Sequence, residues 1–389
     1  MNALRARFKG ANPLLCVWML LLVIFIGLGI FGALRFVGRS ESESLPWGLL
    51  VPSYVFFALG AAGVSIINSI STVFKVERFK PIVKRGIWIS LMLLLPALIF
   101  IILDLGKTTH AANLFLFFHA SSRLAWMGVF YTIFGIFLVL QLIGAIKHES
   151  FPKWTTLFVA IVVFLITLTI ETNSGAFFGS VAAKPLWNSP VMPLSFVVSA
   201  LLVGACLHVL FISTSYMSKK KSVPSEVQAL FSGDYRLLLI GLILIYFVVM
   251  ALKFIPELMS ADASPYAKLL IAGPYSFNFW GLEIIVGCLI PLAILLYKKT
   301  RASAKWFLAA SALITMGIFF SKYDLIIAGQ SIGPTFYAAF IPYFPSIYEI
   351  FTVVGGVAVC LLIYTLGELL LPLEPNQKPS WFLFLKKSQ

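Results

Sequence analysis

Asp104, Glu171, Glu257, Glu283, Asp324 and Glu349 each lie in or beside a long apolar run. A carboxylate in hydrocarbon costs on the order of 3 kcal/mol unless it is paired, hydrated or neutralised. Glu283, about seven residues into its run, would lie about 10 Å below one face of a membrane at 1.5 Å per residue. That depth calls for a partner, a bound ligand or a protonated carboxyl, so the chemistry within reach is ligand binding and proton exchange. Glu349, in the first turns of the last run, raises the same question. Tyr54, Asn173, Lys184, Trp187, Asn188 and Asn278 fall toward the same face. Together these residues describe a polar pocket opening near one leaflet. For Asp104, Glu171, Glu257 and Asp324, the alternative is that each flanks a helix end.

Other marked residues read more plainly. His110 and His119 lie in a loop and read as solvated histidines. The 4 cysteines share no CxxC spacing, so no iron-sulfur cluster or zinc site is coded. Of the 4 histidines only His208 lies inside an apolar run, whereas a bis-histidine haem needs two facing ligands. No Gly-x-Ser-x-Gly, HExxH or serine-histidine-aspartate arrangement occurs. Gly60-Ala61-Ala62-Gly63 and Gly355-Gly356 read as small-residue surfaces for close helix packing.

The elements that must position these residues are membrane spans. Of the 389 residues 60% are hydrophobic and only 11% charged, which excludes a water-soluble fold. Ten apolar runs are near the roughly 20 residues a helix needs to cross a hydrocarbon core; they cover 14–36, 49–73, 86–103, 124–146, 154–172, 191–216, 236–256, 277–297, 304–322 and 345–370. The first, after Arg5, Arg7 and Lys9, reads as a retained signal anchor. Most of the 29 basic residues fall in alternate loops, which predicts cytoplasmic N and C termini and places the acids toward the outer face. The net charge of +14 then serves topology and lipid headgroups rather than nucleic acid. Trp47, Trp126, Trp187 and Trp280 fit an aromatic belt.

The segments opening at Ser53 and Ser195 resemble each other weakly and precede similar basic loops. The expected fold is an all-α integral membrane protein of about ten transmembrane helices, as two four-helix bundles plus two peripheral helices. The expected division is 1–44 for the N-terminus and first helix, 45–190 and 191–330 for the bundles, and 331–389 for the final helix and tail.

Several segments then acquire a family likeness. They are Phe79-Lys80-Pro81 through Lys84-Arg85, Leu103-Asp104-Leu105-Gly106-Lys107, and Ser122 to Trp126. Further on come Gly175 to Gly179 with Lys184 to Trp187 and Pro190, Phe279-Trp280 with Glu283 and Pro291, and Tyr343 to Ser346 with Glu349. In this order the chain resembles the NrfD/PsrC family of quinone-interacting membrane subunits, in its ten-helix DsrP/HybB-like branch. It departs from the family at Lys107-Thr108, where arginine and proline are common, and at Glu171, where histidine often stands.

The resemblance implies a respiratory-complex subunit in the plasma membrane of a prokaryote. Such a subunit binds menaquinone or ubiquinone near the outer face and has no haem or iron-sulfur cluster of its own. It exchanges electrons with a ferredoxin-like iron-sulfur subunit on the extracytoplasmic side, which leads to catalytic or cytochrome subunits. Asp104, Glu283 and Glu171 would then move protons, while Tyr54, Asn173, Lys184, Trp187 and Glu349 would hold or enclose the quinone. The rival reading is a secondary transporter of a small solute or ion, which also suits ten helices, a repeat and buried acids.

Overall fold

The computed structural model describes residues 13–37, 45–146, 151–219, 222–260, 264–300, 303–331 and 340–374. Ten helices long and apolar enough to cross a membrane dominate these residues. They are α1 (Pro13–Val37), α2 (Leu50–Thr72), α3 (Lys80–Asp104), α4 (Arg123–Ile146), α5 (Lys153–Gly179), α6 (Met192–Ser218), α7 (Asp234–Met259), α8 (Phe277–Leu296), α9 (Ala304–Ala328) and α10 (Ile347–Leu370). The chain is thus an all-α, multi-pass membrane protein. In lipid every backbone N–H and C=O must be satisfied within the element, and a helix does this. The predicted basic stub at Arg5, Arg7 and Lys9 lies outside the described residues.

Two helices run well past the C-terminal ends the sequence predicts. The apolar runs end near 172 and 322, but α5 continues to Gly179 and α9 to Ala328. Their last turns carry polar residues that are buried in protein rather than bathed in water. In α5, Ser174 Oγ bonds back to the Ile170 carbonyl at 2.8 Å, which satisfies the hydroxyl without ending the helix. Glu171 and Asp324 therefore lie inside helices rather than at their ends. In α8 the stretch Phe277–Leu289 is π-helical, each turn closing five residues back, before an α turn resumes at Ile290.

Helices α2, α3, α4 and α5 pack around one another, and α6, α7, α8 and α9 do the same. The two groups meet chiefly along α2 and α6. Small residues permit this approach: a Cβ on Gly63 would strike the Ala200 carbonyl, and one on Gly204 would strike the backbone of Gly63 and Val64. Helix α2 is consequently buried along nearly its whole length. Outside both groups α1 packs on α10, with Gly29 facing Gly355. Much of α1 is lipid-facing, including Leu14, Leu20 and Leu34.

An ion network joins α10 to the rest at the end of the bundle where α3 begins. Arg85 on α3, 2% exposed, donates from Nε to Glu368 Oε1 at 2.8 Å, and Lys219 Nζ reaches Glu368 Oε2 at 2.6 Å. The Arg85 guanidinium also lies 4.4 Å over the Tyr216 ring. A cation so placed is tolerable only because its carboxylate and an aromatic face replace water.

Candidate functional site

A cavity of about 770 Å³ opens in the first helix group, where α3 ends and α4 begins. Its size lies within the range of small-molecule sites. Apolar residues from α2, α3, α4 and α5, among them Val51, Leu98, Ile101 and Met127, form most of the wall. Polar groups enter at two levels.

Asp104, the last residue of α3, stands at the mouth with His110 and His119 from the following connection. The His119 ring Nδ1 lies 2.8 Å from Ser121 Oγ, which fixes its orientation. Deeper in the wall are Tyr54, Tyr131, Ser174 and Glu171. The two phenol oxygens are 3.4 Å apart. Glu171 is only 1% exposed, and its Oε1 has no hydrogen-bond partner among the described residues. It sits eight residues before the end of α5 at Gly179, about 12 Å along the helix. A buried carboxyl oxygen without a partner is costly, so it is a place for a water or a ligand atom.

Of the residues expected to share a pocket, Asp104, Glu171 and Tyr54 do so. The others lie elsewhere. Trp187 stands one ring behind the wall: it stacks on the cavity residue Trp47 at 5.5 Å and donates its Nε1–H to the Leu325 carbonyl at 2.6 Å. Asn173 donates to the Arg123 carbonyl at 3.1 Å, tying α5 to the start of α4. Lys184 lies in the connection from α5 to α6, where partial burial pushes its ammonium below the ordinary lysine value. Glu349 forms the N-terminal capping box of α10, with Ser346 N donating to its Oε2 at 2.8 Å. Its Oε1 accepts from Tyr343 OH at 2.6 Å and Leu49 N at 2.8 Å.

Glu283 belongs to a separate buried cluster between α7, α8 and α9. Its Oε1 accepts from Tyr246 OH at 2.6 Å, and Tyr246 lies 2.8 Å from Ser321 Oγ. Lys253 and Lys322 are buried nearby, the latter within electrostatic reach of both Glu283 and Glu171. The Lys322 ammonium lies 4.7 Å over the ring of Phe196, a residue that also lines the cavity. Phe196 thus touches both polar centres.

Tyr131, His110 and His119 line the cavity without having been singled out for it. The tyrosine offered a signal, since it places a hydroxyl eight residues into an apolar run. The histidines offered little, because only the fold of the 105–122 connection turns them toward the opening. Among the described residues no group of three or more histidine, cysteine or acidic side chains could hold a metal ion.

An apolar chamber with one carboxyl at its mouth and another at its base suits a flat, largely apolar molecule that carries a few hydrogen-bonding atoms. The chain is similar in sequence to subunits of oxidoreductases. It is 25% identical over 356 residues to the Hdr-like menaquinol oxidoreductase integral membrane subunit of Archaeoglobus fulgidus, covering 86% of this chain and 87% of that one. It is 23% identical over 377 residues to the C subunit of the selenate reductase of Mesobacillus selenatarsenatis, covering 85% and 87%. Against the C component of the polysulfide reductase of Wolinella succinogenes it is 22% identical over 314 residues, covering 75% and 96%. The family model for polysulphide reductase, NrfD, matches residues 39–334, and the chain belongs to that family.

Proposed function

We propose that this chain is the quinone-reactive membrane subunit of a respiratory redox complex, exchanging electrons and protons between quinone or quinol and an extracytoplasmic iron-sulfur subunit. The observation that carries the reading is the convergence of Tyr54, Asp104 and Glu171 on one largely apolar cavity beside a membrane face. The names of the relatives, a menaquinol oxidoreductase subunit among them, support the same class. On this reading the site belongs to a first four-helix unit spanning 45–190, both termini are cytoplasmic, and the membrane is the prokaryotic plasma membrane.

Quinone and quinol interconvert with two electrons and two protons; the residues of this chain supply the places for the protons. Glu171, with one carboxyl oxygen lacking a partner in dry surroundings, accepts or donates a proton at the base of the cavity. Asp104 does so at the mouth, where His110 and His119 connect it to water. The Tyr131 hydroxyl, held by a hydrogen bond accepted from Tyr54, donates to and orients a ring carbonyl, and Phe177 and Phe178 exclude water from its faces. Glu283 stands behind Phe196 and Lys322 as a second proton-holding group, reached through Lys322 rather than from the cavity itself.

The test is quinol-dependent electron transfer in membranes carrying Asp104→Asn or Glu171→Gln. Removing a general acid or base lowers rates by roughly 10²–10⁴-fold, and that loss is expected for each variant with assembly of the complex unchanged. Unchanged rates in both would remove the proposed roles. Purification of the assembled complex is expected to yield quinone and iron together. Recovery of neither would favour the transporter reading, for which the Glu283, Lys322 and Lys253 cluster would be the natural centre.

A further inference from the structure

The bundle holds a further polar centre, far from the cavity and close to the opposite membrane face. It surrounds Gly86, six residues after α3 starts at Lys80 and so about 9 Å along the helix. A Cβ at this position would collide with the side chains of Asn68 on α2 and His208 on α6. Glycine is therefore what lets three helices bring polar groups to one point. Asn68 is 2% exposed and His208 0%, and Tyr235 from α7 closes the group with its ring 6.3 Å from the His208 imidazole.

These groups are not satisfied by protein. Both polar atoms of the Asn68 amide, Nε2 of His208 and the hydroxyl of Tyr235 have no hydrogen-bond partner among the described residues. Each such orphan costs roughly 1–3 kcal/mol in a dry interior. Four of them, on three helices that otherwise pack closely, are hard to reconcile with a dry cluster. Buried waters typically make about three hydrogen bonds to polar groups left over in this way.

An entrance lies beside the cluster. A smaller cavity of about 190 Å³ opens at the same end of the bundle, lined by Ser213, Gln228, Phe231, Ser232, Ser303 and Phe307. Val223 and Ala304 make much of its wall apolar, but Ser213, Gln228, Ser232 and Ser303 give it side-chain hydrogen-bonding groups that a water can use. The Phe231 ring lines this cavity and also lies 5.3 Å from the Tyr235 ring of the cluster.

We propose that Asn68, His208 and Tyr235 form an internal water site, filled through the Ser213–Phe307 cavity with Phe231 as the partition. The ligand is water, hydrogen-bonded by the Asn68 amide, His208 Nε2 and the Tyr235 hydroxyl. The site gives the membrane interior a solvent-connected polar chamber on the side away from the large cavity. This inference stands independently of the quinone reading, because it uses none of the same residues.

The test is thiol accessibility in proteoliposomes, using the full chain with Cys16, Cys206, Cys288 and Cys360 replaced by alanine. Only a hydrated thiol ionises and reacts with the small cation methanethiosulfonate-ethylammonium. Asn68→Cys is expected to label at least about tenfold faster than Val203→Cys, a fully buried position on α6 away from the cluster. Adding Phe231→Trp is expected to slow the labelling of Asn68→Cys while leaving Val203→Cys unchanged. Equal rates for Asn68→Cys and Val203→Cys would overturn the proposal. A high-resolution map of the unmodified protein provides a second readout that needs no variant. Water density within hydrogen-bonding distance of at least two of the three side chains supports the site, and direct Asn68 to His208 bonding with no density between them refutes it.

Discussion

Glu171 and Glu349 are both 1% exposed glutamates in contrasting surroundings. Glu349 accepts hydrogen bonds from Tyr343, Leu49 and Ser346, so its charge is spent on holding the start of α10 against the start of α2. The Tyr343 phenol is pushed above its ordinary range by burial and by the Glu349 carboxylate beside it, which keeps it a donor at any physiological pH. Glu349→Gln should therefore act through stability. Hydrogen bonds to a charged group contribute about 1.5–3 kcal/mol each, so a lower thermal midpoint of the detergent-solubilised protein is expected, with the rate per folded molecule retained. Glu171→Gln, in contrast, should leave the midpoint nearly unchanged and remove activity. The Ser346-x-x-Glu349 spacing is a capping-box signature, so the structural duty of Glu349 was readable before any fold was known.

At the scale of the element, the apolar runs disclosed all ten membrane helices because lipid imposes the same length and composition on each. The C-terminal ends of α5 and α9 were not legible. A polar residue such as Ser174 or Asp324 looks identical in one dimension whether it faces water or another helix, and only the packing of neighbours distinguishes the two. The same ambiguity hid Tyr131 and the two loop histidines, while Tyr54, Asp104 and Glu171 announced themselves as polar groups in apolar company. The contact of α2 with α6 carries a prediction of its own. A side chain on Gly63 would meet the Ala200 carbonyl, and overpacking of this kind costs roughly 1–3 kcal/mol or more. Gly63→Leu should lower the yield of monodisperse protein in size-exclusion chromatography, whereas Gly241→Leu, with open space around it, should not.

At the scale of the whole molecule, buried charge beyond Glu349 gathers at the cavity acids, the Glu283 cluster and the Arg85 network. The last joins α3, α6 and α10 near one membrane face, with Arg85, Lys219, Glu368 and Glu374 in contact. Glu368→Gln would leave the Arg85 guanidinium buried without its closest carboxylate, a loss of about 3–5 kcal/mol for pairs of this type. The expected outcome is a large fall in the thermal midpoint, read by loss of intrinsic tryptophan fluorescence, with partial recovery when Arg85→Met is added.

The pairing of α1 with α10 reaches into biogenesis. Between Val37 and Ile347 the ribosome must add 309 residues, which at about 5–20 residues per second takes roughly 15–60 s. Throughout that interval α1 waits in the bilayer without the groove that Gly355 provides. Pairing of α1 with α10 therefore follows synthesis of every helix between them, and a nascent chain stalled before residue 347 would hold every part of the cavity yet leave α1 without this partner, exposed to quality-control proteases.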